Sequence, residues 1–340
     1  MSDRRDLLRR AGAGAASVSL AQLLGPAAAL AGGGGGGDFP DHPRWRFVFV
    51  SHSTLDPLFV ATQFGAQDAA ALVNCSVQWT GSPRGSADET ARALRSAVSR
   101  KADGIAVSIV EDLAFVPGIE AARQAKIPLV AFNVGHSNGR QVRYTGEDPL
   151  ASGLRAGAEL ARLVPSGKVL VLAAEKARKW TSQRQSGVVS GLALAKGRSS
   201  ILVRLAGDLP RQEHEVEAAL AAHPAARGAV ALDRAGTVAL GAAIERTGRR
   251  IHGGGFDLLP DDLKLIADGH LDFAVDQQPY VQGFSPVVQL FLARISQGTV
   301  KPWDTETSIL LRKADVKAFI DTKSRFEGSS SRHEYPLRRA

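Results

Sequence analysis

The side chains of this chain with the most chemical potential stand just after short apolar runs. His52, Ser53, Asp56 and Phe59 follow the first run, and Asn133 and His136 follow the fourth. Trp180 to Arg184, Asp208, Asp233, Asp257, Gln277 and Gln278 follow later ones. Aspartate and asparagine accept hydrogen bonds from hydroxyls, while asparagine, glutamine and arginine donate to them. Aromatic faces cover C–H surface. This mixture suits a neutral polyhydroxyl ligand, with His52, Asp56, Phe59, Asn133, Trp180, Arg184, Asp233, Asp257 and Gln277 as its candidate contacts. No histidines at metal spacing accompany them, and Cys75 is the single cysteine. Neither a cofactor nor a metal is expected.

Three motifs suggest other chemistry and fail on context. The run Gly32 to Gly37 neither follows a strand nor opens a helix, so it reads as a linker and not a phosphate cradle. His252-Gly253-Gly254-Gly255 imitates an oxyanion loop, but no Gly-x-Ser-x-Gly elbow supplies a nucleophile. Cys75 with His52 has nothing to orient the pair.

Each candidate contact also has a structural alternative. Asp257 and Asp233 could cap following helices, and Asp56 precedes Pro57 as helix starts often do. Gln277 could tie a hinge, Asn133 could cap a loop, and Phe59 could be core. Trp180 could shield a lobe edge, and His52 could remain solvated. Arg184 could sit on a helix surface paired with a carboxylate.

The elements that must position these groups alternate along the chain. Strands are predicted at Arg46 to Val50, Ser76 to Trp79, Gly104 to Ser108 and Leu129 to Phe132. Helices are predicted over Leu58 to Leu72, Ala87 to Arg100 and Ala114 to Gln124. The alternation restarts at Val142 to Thr145 and continues to Phe273 to Val275. The apolar runs are continuous, as in parallel strands covered on both faces. The fold class is therefore α/β, doubly wound, in two similar lobes. Ligands of such sheets bind beyond the carboxyl ends of the strands.

Charge and length narrow the function. The net charge is +8, but residues 1–31 carry four arginines and two aspartates, and residues 323–340 carry five basic and two acidic side chains. That leaves an ordinary balance on the folded body, with no aromatic-interleaved basic patch, and argues against nucleic acid. Arg4 and Arg5, the apolar stretch Ala11 to Leu24 and the small-residue site Ala29-Leu30-Ala31 look like a twin-arginine export signal cleaved after Ala31. A diffusible exported protein without a lipid-attached cysteine implies a periplasm. The remaining 309 residues suffice for two buried cores. Ser324 to Ala340 reads as a disordered tail.

The segments FVFVSHSTLDPLF (47–59), ADGI (102–105), AKIPLVAFN (125–133), GFD (255–257) and DQQPYVQG (276–283) together resemble type I periplasmic sugar-binding proteins. These are the ribose- and galactose-binding relatives of the LacI-type repressors. The resemblance covers nearly all of residues 44–321. It implies two lobes joined by three hinge crossings that close over one sugar. The lobes would be residues 44–146 with 277–305 and residues 147–276 with 306–321, preceded by a linker over 32–43 and followed by a tail over 322–340. Asp257 and Gln277 fit the family pattern best. Asn133-Val134 replaces the Asp-Arg pair that many relatives carry, which turns the expectation towards a less common sugar or a polyol. Ser182 falls where ribose binders often have an arginine, and Arg184 matches another common arginine position.

The expected function is that of a monomeric solute-binding protein. It would deliver a monosaccharide or polyol to the membrane permease of an ABC transporter, without contacting nucleic acid. A sugar-sensing receptor for a chemoreceptor or histidine kinase is the alternative within the fold. An exported enzyme using His52, His136 and the loop aspartates is the alternative outside it, but no nucleophile, metal set or cofactor loop accompanies those residues.

Overall fold

The computed structural model describes residues 40–135, 142–175, 178–194, 196–257 and 260–322. The export-signal segment, the glycine run, His136 and the tail beyond Thr322 lie outside the described residues. The first lobe contains β1 (Arg46–Ser51), α1 (Leu58–Leu72), β2 (Ser76–Gly81), α2 (Ala87–Ser99), β3 (Gly104–Val107), α3 (Asp112–Gln124), β4 (Leu129–Phe132) and β5 (Arg143–Gly146). The second contains α4 (Pro149–Leu163), β6 (Gly167–Ala174), α5 (Lys179–Leu192), β7 (Arg198–Leu205), α6 (Leu209–Ala222), β8 (Ala226–Ala231), α7 (Arg234–Thr247), β9 (His252–Phe256), α8 (Pro260–Asp268) and β10 (Phe273–Asp276). Then come α9 (Pro279–Ile295), β11 (Thr305–Glu306), β12 (Ile309–Arg312) and α10 (Lys313–Thr322).

Two six-stranded sheets result, ordered β11-β5-β4-β3-β1-β2 and β12-β10-β9-β8-β6-β7. Every described pairing is parallel except that of β10 with β12. The chain passes from the first sheet to the second after β5, returns after β10, and crosses again between β11 and β12.

Burial on both faces explains the continuous apolar runs. In β1, Phe47 and Phe49 enter one core with Val130, Phe132 and Phe291, whereas Val48 and Val50 enter the opposite core with Leu94, Val107 and Phe115. In β6, Leu170 and Leu172 face one way and Val169 and Val171 the other. Local signals set several helix starts. Ser86, Asp148, Asp208 and Asp233 each accept from a first-turn backbone N–H.

Glycines set the closest helix contacts. On α4, a Cβ at Gly153 or Gly157 would stand 2.3 Å from the carbonyl oxygen of Arg184 or Val188 on α5. A Cβ at Gly187 would reciprocally stand 2.2 Å from the carbonyl oxygen of Leu150. The same device joins α1 to α9, where a Cβ at Gly283 would lie 1.9 Å from the Thr62 carbonyl. The glycines of β9 also serve packing. Side chains at Gly254 and Gly255 would collide with the Phe273 ring and the Thr237 hydroxyl.

The sequence reading places no elements between residues 277 and 322. There α9 contains Gly283 and Pro286, which read as helix breakers, yet Gly283 is required for its approach to α1. The His42 ring, in the stretch expected as linker, stacks on Trp45 at 4.4 Å between centroids.

Candidate functional site

A cavity of about 990 Å³ opens between the lobes, beyond the carboxyl ends of both sets of strands. All nine predicted contacts line it. This is the position the fold class dictates, and the volume lies at the upper end of the range for small-molecule sites.

The polar centre lies at the crossings. Asn133 follows β4, Asp257 follows β9 and Gln277 follows β10. Gln277 donates through Nε2 to Asp257 Oδ1, and its Oε1 accepts from Asn133 Nδ2 at 3.3 Å. Asn133 Nδ2 also donates to Gln282 Oε1 at 3.1 Å. Gln282 Nε2 and the Thr307 hydroxyl both donate to the Gln277 carbonyl, at 2.9 and 2.6 Å. Thr307 N donates to the Gly146 carbonyl at 3.1 Å, so all three crossings share one hydrogen-bonded cluster. The backbone there is constrained, with φ at +59° for Asn133, +74° for Asp257 and +52° for Gln278. Such non-glycine conformations concentrate where structure serves a ligand.

Arg184 is buried to 3 % exposure and grips both carboxylate oxygens of Glu147, with Nε to Oε1 at 2.9 Å. It also donates to the Leu232 carbonyl at 2.8 Å and lies over the Phe256 ring, 4.2 Å from its centroid. The surface-helix alternative for Arg184 does not hold, although its pairing with a carboxylate does. Arg184 Nη2 also stands 3.9 Å from Asp257 Oδ1. Burial raises the Asp257 carboxyl to about 6, against the pull of Arg184 and the hydrogen bond from Gln277.

An aromatic and imidazole wall completes the cavity. His52 follows β1, and its Nδ1 is 2.7 Å from the Ser108 hydroxyl. Its ring meets Phe59 edge to face at 5.4 Å and approaches Trp180 of the second lobe at 6.3 Å. The solvated alternative for His52 therefore fails. Burial, aided by Arg178, lowers its pKa to about 4, so it is neutral at ordinary pH and offers one donor and one acceptor. Arg178 stands 5.3 Å from the Trp180 ring. Phe59 is 1 % exposed and packs with Phe49, Phe132 and Trp79, so its structural alternative, core, describes most of its ring.

Asp56 and Asp233 each make a helix-start contact. Asp56 Oδ1 accepts from Leu58 N at 3.0 Å, and Asp233 Oδ1 accepts from Gly236 N at 2.9 Å. Each remains on the cavity wall. No group of three or more metal-ligating side chains occurs among the described residues, and none of their helices is long and apolar enough to cross a membrane.

Sequence reasoning missed Glu147, Tyr144, Gln282 and Thr307. Glu147 lies beside Asp148-Pro149, which reads only as a helix start, and its partner is 37 residues away. The Tyr144 hydroxyl bridges the Asn133 and Glu147 carbonyls at 2.6 and 3.0 Å. No local pattern announces either contact.

Comparison with known proteins agrees with this architecture. The chain is 34% identical over 318 residues to the xylose/arabinose-binding protein XylF of Sulfolobus acidocaldarius, covering 88% of this chain and 78% of that protein. Its structure resembles a carbohydrate transporter from Acidothermus cellulolyticus 11B solved with myo-inositol (TM-score 0.72, 27% identity, 85% of this chain and 100% of that one). It also has the fold of a solute-binding protein from Burkholderia graminis C4D1M solved with D-arabinose (TM-score 0.74, 22% identity, 82% and 99% covered). The periplasmic binding protein domain pattern matches residues 47–294, and the chain belongs to that family.

Proposed function

We propose that this protein is the solute-binding component of an ABC-type sugar transporter, capturing a monosaccharide or polyol between its lobes. One observation carries the reading. Asp257, Gln277 and Asn133 form a hydrogen-bonded cluster at the crossings, on the floor of a cavity walled by His52 and Trp180. Hydroxyls in such a site meet a carboxylate acceptor and amides that can both donate and accept, while Trp180 covers C–H surface. A micromolar dissociation constant corresponds to about 8 kcal/mol. Several hydroxyl hydrogen bonds at about 1 kcal/mol net each, with aromatic coverage, supply most of that. The role is capture and not bond-breaking.

In this reading Asp56, Asp233, Asp257 and Asn133 accept from hydroxyls, Gln277 and Arg184 donate or orient, and His52, Phe59 and Trp180 bound the ligand. Residues 44–146 with 277–305 move as one lobe against residues 147–276 with 306–321. The closed form is read by a membrane permease. The chain works as a monomer in the periplasm, exported by its twin-arginine signal and cleaved near Ala31. Xylose and arabinose, named for one relative, and D-arabinose and myo-inositol, bound by two others, come first among the ligands to test.

A thermal-shift screen of residues 32–340 against pentoses, hexoses, deoxysugars and sugar alcohols tests the proposal. Ligand at a hundredfold above its dissociation constant adds about 2.7 kcal/mol, a shift of several degrees. A folded protein that no sugar or polyol shifts would overturn it.

A further inference from the structure

One cavity residue is left with unfinished hydrogen bonding. Gln212 lies in the first turn of α6 and is 6 % exposed. Its backbone is fixed by Gln212 N donating to the Asp208 carbonyl at 3.0 Å. Its side-chain Nε2 donates to the Gly207 carbonyl at 3.2 Å. Its Oε1 is fully buried and has no partner, yet Gln212 lines the same cavity as Asp233 and Asp257. Turning the amide over would set Oε1 against the Gly207 carbonyl, two acceptors face to face, so the present orientation is the one the protein favours.

A buried acceptor left without a donor is destabilising. Native proteins rarely retain one unless something else supplies the hydrogen. We propose that Gln212 is a specificity-determining ligand contact whose Oε1 accepts a hydrogen bond from a hydroxyl of the bound sugar or polyol. This rests on the sugar-capture reading. The contact engages a different hydroxyl from the one that meets Asp257. Asp257 follows β9, whereas Gln212 lies in α6, the helix after β7 at the far end of the sheet order β9-β8-β6-β7. Gln212 thus reads the end of the ligand that is remote from the crossings.

The test uses the mature chain with D-xylose, L-arabinose, D-arabinose and myo-inositol, followed by the monodeoxy analogues of whichever binds. Titration calorimetry compares the parent protein with Gln212→Met, which keeps the side-chain volume, and with Gln212→Ala. The expected result is a loss of roughly five- to twentyfold in affinity for the parent sugar. One deoxy analogue should bind parent and variant equally, and the melting temperature of the ligand-free variant should be unchanged or raised. Undiminished affinity in both variants, or equal weakening for every deoxy analogue, overturns the Gln212 contact while leaving sugar capture intact. Failure of every sugar to bind the parent protein overturns the capture reading itself, and the contact with it.

Discussion

Replacing Glu147 by glutamine should destabilise the protein more than any other single change at the site. The side chains of Glu147 and Arg184 are each 3 % exposed and make a two-oxygen contact far from solvent. With the carboxylate replaced by an amide, the guanidinium keeps one neutral acceptor there, the Leu232 carbonyl and the face of Phe256, with Asp257 at 3.9 Å, and loses its paired charge. Stranding a buried charge in this way costs roughly 3–5 kcal/mol. At about 2 °C per kcal/mol for a chain of this size, melting should fall by roughly 6–10 °C. Arg184→Met strands the carboxylate instead. The stranded carboxylate retains the Ser152 hydroxyl as a donor. The arginine variant should therefore lose less than the glutamine variant. The double variant holds no stranded charge and should regain at least half of the glutamine variant's loss. Urea unfolding of the four proteins measures all of this. Additive losses, or a Glu147→Gln cost below about 1 kcal/mol, would refute the reasoning.

Three further outcomes follow from the geometry. Because burial lifts Asp257 to about 6, sugar affinity should be constant at higher pH and fall up to about tenfold per unit below 6. Asp257→Asn should weaken binding more than tenfold and flatten that profile, so a pH-independent titration of the parent protein would count against the carboxylate. The sign for stability is opposite. The raised value favours the folded, ligand-free protein below its ordinary 3.8, and that contribution is lost as the pH rises through 6. Trp180→Ala should reduce affinity by about 1–2 kcal/mol, roughly five- to thirtyfold, and abolish most of any ligand-induced tryptophan fluorescence change; an unaltered signal would place Trp180 off the ligand. Gly187→Ala puts a methyl 2.2 Å from the Leu150 carbonyl and 2.7 Å from the Leu154 nitrogen. It should cost at least about 1–3 kcal/mol by forcing α4 and α5 apart, and a melting temperature equal to the parent's would contradict that packing.

The sequence by itself determined the layers and the edge at which a ligand can sit. Continuous runs such as Phe47 to Val50 and Val169 to Leu172 require cover on two faces, which only a doubly wound parallel sheet provides. Parallel strands in turn deliver His52 and Asn133 to the carboxyl edge of one sheet and Asp233 and Asp257 to that of the other, because each lies within two residues of its strand's end. Local chemistry also announced the cap at Asp233 and the helix start at Asp56-Pro57. Only the tertiary structure decided which of these groups are free for a ligand and which are already engaged. Arg184 is committed to Glu147, Gln277 joins Asp257 to Asn133, and Gln212 keeps an open acceptor. These pairings join residues 20 to 144 positions apart, and their energy lies in burial and shared hydrogen bonds that no short window of sequence contains. The helix α9 escaped the sequence reading for the same reason. Gly283 weakens it as an isolated helix and is indispensable once α1 lies against it.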